Sequence, residues 1–206
     1  MRLKNKKLKL KKIPKIKFSS KNLFIFLISL FIVGLLTGII FFLLMNNIDK
    51  NSIIDSNQYF NIDNSNYITS FRNNLLENTF NIFLIWILGL SVIGVIFVII
   101  IYFFHAFSLG LTLASIVTKY KLKGIIGIFC YIFPSKICYL LILFLLSFFS
   151  IKISYKIIKV CFSKEKIDIK QDINKYFKIL LFSFISILLI SLLKIFIDPI
   201  FLNFLN

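Results

Sequence analysis

For 39 consecutive positions, residues 80–118, this chain carries no Lys, Arg, Asp or Glu. At 1.5 Å per residue an unbroken helix of that length would run about 58 Å, roughly twice the hydrocarbon thickness of a bilayer. The stretch is too long for one crossing and suits two crossings joined by a tight turn. Glycine and serine weaken a helix and accept turn geometry. The best turn candidate is therefore Gly89-Leu90-Ser91-Val92-Ile93-Gly94. The sequence predicts one helix from near Leu75 to that turn and another from about Val95 to Thr118.

Charge elsewhere is sorted just as sharply. Residues 1–22 hold ten Lys and Arg and no acid, and residues 23–45 hold no charge. That 23-residue apolar run spans about 34 Å, enough to cross, and it lacks the short core and small-residue cleavage site of a signal peptide. It reads as an uncleaved first membrane helix with its basic end in the cytoplasm. The basic run has one aromatic, Phe18, and no folded module around it, which argues against nucleic-acid binding. Residues 46–79 hold ten Asn, four acids and two basic residues, net −2 in a chain of +17. This is the pattern of a non-cytoplasmic loop. Ile68, Phe71 and Leu75 in its second half have helical spacing, and Asp63 or Ser65 is a candidate N-cap.

Residues 152–178 carry eight Lys against Glu165, Asp168 and Asp172, net +5, and read as cytoplasmic. Residues 179–197 form the last span, with Asp198-Pro199 expected to stop it. The expected map is then a basic cytoplasmic tail (1–22), a first transmembrane helix (23–45), an extracytoplasmic Asn-rich loop (46–79), a transmembrane core (80–151), a basic cytoplasmic loop (152–178), and a last transmembrane helix with a short outer tail (179–206). The fold class is all-α: a polytopic membrane helical bundle of about five transmembrane helices, N-terminus inside and C-terminus outside. With 59% apolar residues and a mean hydropathy of +0.92, a soluble domain of ordinary composition is excluded. One conflict stands. Five spans put Lys119, Lys121 and Lys123 outside, against the positive-inside rule. The alternative crosses once over 80–118 and makes 124–151 a hairpin broken at Pro134. Three lysines in a short loop weigh less than two strongly basic flanks, so five spans are preferred.

Residues suited to chemistry are few. Cys130, Cys138 and Cys161 have no partner set for a metal and read as small apolar packers, so neither cofactor nor metal is expected. No Gly-rich phosphate loop or Gly-x-Ser-x-Gly elbow occurs. His105 reads as a packed polar residue within a helix, and Lys136 as a single charge that snorkels or faces a polar cavity. The acids Asp49, Asp55, Asp63 and Glu77 sit among asparagines with no His or Cys and little apolar material to build a pocket. The chain is accordingly expected not to be an enzyme. Packing motifs are richer. Gly34-x-x-x-Gly38 lies in the first helix, and Ala106, Gly110 and Ala114 recur every four residues in a later one. Small residues at that spacing let helix backbones approach closely, either within the chain or in a homo- or hetero-oligomer.

The run Leu84-Ile85-Trp86-Ile87-Leu88-Gly89-Leu90-Ser91-Val92-Ile93-Gly94 resembles the corresponding stretch of the stage II sporulation protein M family. So do Phe104-His105-Ala106-Phe107-Ser108-Leu109-Gly110 and Phe133-Pro134-Ser135-Lys136. The chain departs from the family at His105-Ala106, where a basic residue and Gly are usual, and at Ser135-Lys136 after the proline. The resemblance implies a membrane scaffold of endospore formation in the mother-cell membrane at the sporulation septum. There it would recruit two peptidoglycan-degrading partners, stage II sporulation proteins D and P, for engulfment of the forespore. A reading from a different class is a permease subunit of a membrane transporter. Candidate packing or partner positions are Gly34, Gly38, Trp86, Gly89, Gly94, His105, Ala106, Gly110, Ala114 and Pro134.

Overall fold

A computed structural model describes residues 20–56, 67–129, 133–163 and 170–205. Among them every regular element is helical: α1 (Ser20–Leu44), α2 (Asn47–Ser56), α3 (Tyr67–Gly89), α4 (Gly94–Gly127), α5 (Phe133–Ser163) and α6 (Lys170–Leu205). Among the described residues, four helices are long and apolar enough to cross a membrane: α1, α4, α5 over Ser135–Val160, and α6 over Gln171–Lys194. The chain is an all-α, polytopic membrane bundle. Helix α3 is polar in its first part, with Arg72, Asn73, Asn74, Glu77 and Asn78 ahead of an apolar second part.

Helix directions follow from what touches what. Gly34 of α1 lies against Phe103 and Ala106 of α4, and Gly38 against Phe107 and Gly110, so these two run parallel. His105 meets Tyr139 and Tyr102 meets Phe144, so α5 runs against α4. Trp86 stacks on Tyr176 while Lys194 reaches Asn74, so α6 runs against α3. Ser150 and Ser154 of α5 bond Ile85 and Ser91, which sets α3 parallel to α5. Thus α1, α4 and α6 point one way and α3 and α5 the other. The arrangement has two ends, one at the α3–α4 turn and one beside α2.

The turn falls where glycine and serine placed it. Helix α3 stops at Gly89 and α4 starts at Gly94. Helix α3 begins at Tyr67, earlier than the expected Leu75, and runs straight into the apolar segment. The candidate caps Asp63 and Ser65 lie outside the described residues, as do Cys130 and most of the basic tail. Residues 46–79 are less of a loop than their composition implied, because α2 and the start of α3 occupy much of them. Lys50 Nζ donates to the Leu43 carbonyl (3.0 Å), satisfying an end of α1 that has no helical donor. Residues 152–178 are likewise mostly helix, since α5 runs to Ser163 and α6 starts at Lys170. Lys152, Lys156 and Lys159 lie on the last turns of α5, and Lys170, Lys175 and Lys178 on the first turns of α6. Helix α6 also continues through Asp198-Pro199 to Leu205, where a stop was expected. A proline removes one backbone bond, and Ile200, Phe201 and Leu202 continue the apolar run beyond it.

Helix α5 is the most enclosed. Of its most apolar stretch 56% is buried, against 22% for α1, which packs chiefly on α4. Leu143 and Leu146 of α5 pack with Ile82, Ile85, Val98, Tyr176 and Ile187 in the core. Ile32, Leu36 and Ile40 on α1 and Ile185, Leu189 and Leu192 on α6 face outward. Apolar surface on that scale would drive aggregation in water and is what lipid tails cover.

Helix α4 is broken at Lys121, whose φ of 51° and ψ of −126° suit glycine. Beyond the break the chain folds back, bringing Gly124 against Ile116 and Tyr120 and burying Ile128, with Leu122, Ile126 and Phe129 exposed. Lys121→Gly relieves the strained backbone, and we expect it to stabilise the protein by about 1 kcal/mol. A thermal-unfolding midpoint at or below that of the wild type would refute the strain argument.

Candidate functional site

Three constellations account for the singled-out residues. The first is the α1–α4 seam. A methyl group on Gly34 would lie 2.9 Å from Ala106 Cβ and 3.1 Å from the Phe103 carbonyl oxygen. One on Gly38 would meet the Phe107 carbonyl and lie 3.2 Å from Gly110 Cα. One on Gly110 would meet the Leu35 carbonyl and lie 3.1 Å from Ile39 N. Two backbones are in direct contact, as small residues every fourth position allow. Ala106 is fully buried and Ala114 nearly so. Gly34, Gly38, Ala106 and Gly110 thus serve packing inside this chain.

The second is the junction at the α3–α4 turn. Leu90 N–H bonds Ile87 O and Ser91 N–H bonds Leu88 O, both at 3.0 Å, tightening the last turn of α3. The Tyr176 hydroxyl donates to the Trp86 carbonyl at 3.1 Å. Ser150 donates to the Ile85 carbonyl at 3.2 Å and Ser154 to the Ser91 carbonyl at 2.7 Å. Each bond ties the end of α3 or its turn to α5 or α6, and the Trp86 carbonyl is among the last four of α3, which lack a partner within the helix. Gly89 lies so close to Ser150 and Tyr176 that a side chain there would strike both, and Gly94 abuts the Leu88 backbone. The Trp86 ring stacks on Tyr176 at 6.0 Å between centroids. Lys156 and Asp172 form an ion pair between α5 and α6 near the same end.

The third is a cavity of about 290 Å³ near the α2 end. Helix α3 lines it with Asn74, Glu77 and Asn78, and α4 with His105, Ser108 and Thr112. Helix α5 contributes Ser135, Lys136 and Tyr139 and α6 contributes Ile190 and Lys194, while Ile53 of α2 closes part of the rim. Lys194 Nζ donates to Asn74 Oδ1 at 3.0 Å, and the His105 ring meets Tyr139 edge to face at 5.6 Å. Lys136 is therefore one of several ionisable groups in a common space. Glu77 is exposed and forms part of the cavity wall. Pro134, at the second position of α5, sits where the helix needs no donor from it. Its neighbours Ser135 and Lys136 line the cavity.

The family model described as Stage II sporulation protein M matches residues 26–194, which is 169 of the 206 residues. The chain belongs to the stage II sporulation protein M family. No curated protein and no solved structure matches it. The stretch matched to stage II sporulation protein M begins inside α1 and ends at Lys194, so it contains the seam, the junction and the cavity. The family places the chain among sporulation-related membrane proteins. The sequence reading missed Glu77, Asn74, Asn78 and Lys194 as site residues. The available signal was Asn74, Glu77, Asn78 and Asn81 at spacings of three and four, a polar stripe along α3.

Proposed function

We propose that this protein is a membrane scaffold of endospore formation. It holds peptidoglycan-degrading partners, stage II sporulation proteins D and P, in the mother-cell membrane at the septum so that the forespore is engulfed, and it performs no bond chemistry itself. The observation that carries this reading is the family match across nearly the whole bundle. The packed seam and junction agree with a body built to hold position. Deleting the gene should leave both partners made at normal levels but dispersed from the septum, with engulfment halted. Tagged partners in sporulating cells report this directly. Partners that still reach the septum, or purified protein that alone cleaves peptidoglycan, would refute the scaffold.

A second reading, a permease subunit, draws on the ionisable groups gathered in the cavity, because charges inside a membrane bundle often mark a substrate path. Uptake by reconstituted vesicles driven by an ATPase or an ion gradient would replace the scaffold with it.

A further inference from the structure

The cavity near the α2 end has a charge pattern that selects its occupant. Lys136 on α5 and Lys194 on α6 stand on different walls, with Glu77 of α3 as the acid of the lining, net +1 apart from His105. Around them stand amide and hydroxyl groups, Asn74 and Thr112 among them. Ile53 and Ile190 supply apolar edges. About 290 Å³ lies at the low end of the roughly 300–1,000 Å³ of ligand cavities, room for a side chain or a chain end and not for a large cofactor.

We infer that this cavity receives a carboxylate of a protein partner, an acidic side chain or a C-terminus, presented from the side of the membrane on which α2 lies. The inference rests on the scaffold reading and adds to it the place of docking. A carboxylate accepts from the ammonium groups of Lys136 and Lys194, adding to or exchanging with the contacts they make inside the bundle, and it offsets the surplus positive charge. The amides and hydroxyls satisfy its remaining lone pairs. Ile53 and Ile190 cover the apolar part of the residue that bears it.

The test uses the full-length protein in lipid nanodiscs and the purified soluble outer domains of stage II sporulation proteins D and P. Lys136→Gln and Lys194→Gln should each weaken binding of the responsive domain at least about tenfold. Thr112→Phe, which fills the cavity and leaves its charge alone, should do the same. Lys136→Arg and Lys194→Arg should retain most of the affinity. Each variant is first checked by size exclusion and thermal unfolding, and Thr112→Phe serves where a lysine variant does not fold. Wild-type protein that binds neither domain would overturn the scaffold reading and this inference with it. Binding by the wild type that is unchanged in Lys136→Gln, Lys194→Gln and Thr112→Phe would overturn the cavity alone. Should millimolar glutamate stabilise the wild type while domain binding ignores all three variants, the occupant is a free carboxylate and the docking inference fails.

Discussion

Gly38→Ile should take the bundle apart at one seam. The substituted side chain would have to occupy space held by the Phe107 carbonyl, with Gly110 Cα 3.2 Å from its first carbon. These are backbone atoms, so no rotamer change can make room. Helix α1 must move away from α4, and α4 is its main contact in the bundle, with only slight packing on α5. Overpacking of a well-filled core costs about 1–3 kcal/mol. The helix-pair association that would be lost is itself worth on the order of 1 kcal/mol in a bilayer. The two together are a large share of the stability of a small domain. We expect Gly38→Ile to lower the unfolding midpoint in detergent sharply and to reduce the amount of folded protein in membranes, with Gly110→Ile matching it from the other helix. Leu36→Ala, on the exposed face of α1, should change little. Because the seam lies within one chain, poorer recovery of partners would follow from lost folding. A Gly38→Ile protein with wild-type midpoint and membrane level would mean that α1 and α4 do not touch here.

The seam and the turn were legible because each is written locally. A Gly-x-x-x-Gly pair on α1 and Ala106, Gly110 and Ala114 on α4 are small residues at helical spacing, and such a stripe has one physical use, close approach. Gly89, Ser91 and Gly94 interrupt an otherwise apolar run in a stretch too long for one crossing. The cavity was not legible for the opposite reason. Glu77, Lys136 and Lys194 are separated by 59 and 58 positions, and nothing near any one of them points to the others. Each alone reads as a loop acid, a snorkelling lysine or a helix-end lysine. Only the packing of α3, α5 and α6 on α4 brings them together. Composition misled in one further way. Asn-rich and Lys-rich stretches resemble loops, yet α3, α5 and α6 extend into them, because a helix anchored in an apolar bundle carries polar residues on its protruding turns.

The parallel course of α1 and α4 makes the disputed lysines a sharp test of topology. If α1 leaves the cytoplasm at its basic end, then α2, the break at Lys121 and the cavity all lie on the outer side, and the start of α6 lies inside. The loop charges of +10, −2 and +5 support that orientation by the positive-inside rule. Lys119, Lys121 and Lys123 oppose it, but a short loop of three lysines is outweighed by ten basic residues at the N-terminus. The fold-back after Lys121 also places these side chains at a helix end, where long stems can reach polar headgroups. In a background of Cys130→Ser, Cys138→Ser and Cys161→Ser, Asn51→Cys and Lys123→Cys should react with an impermeant thiol reagent in intact cells. Gln171→Cys should react only after permeabilisation. All three positions are exposed in the fold, so protection reports the membrane and not burial. Labelling at Asn51→Cys with protection at Lys123→Cys would break the parallel arrangement and restore the hairpin at Pro134. Labelling at Gln171→Cys alone would keep the bundle and invert it, placing the cavity in the cytoplasm, out of reach of any cell-wall enzyme.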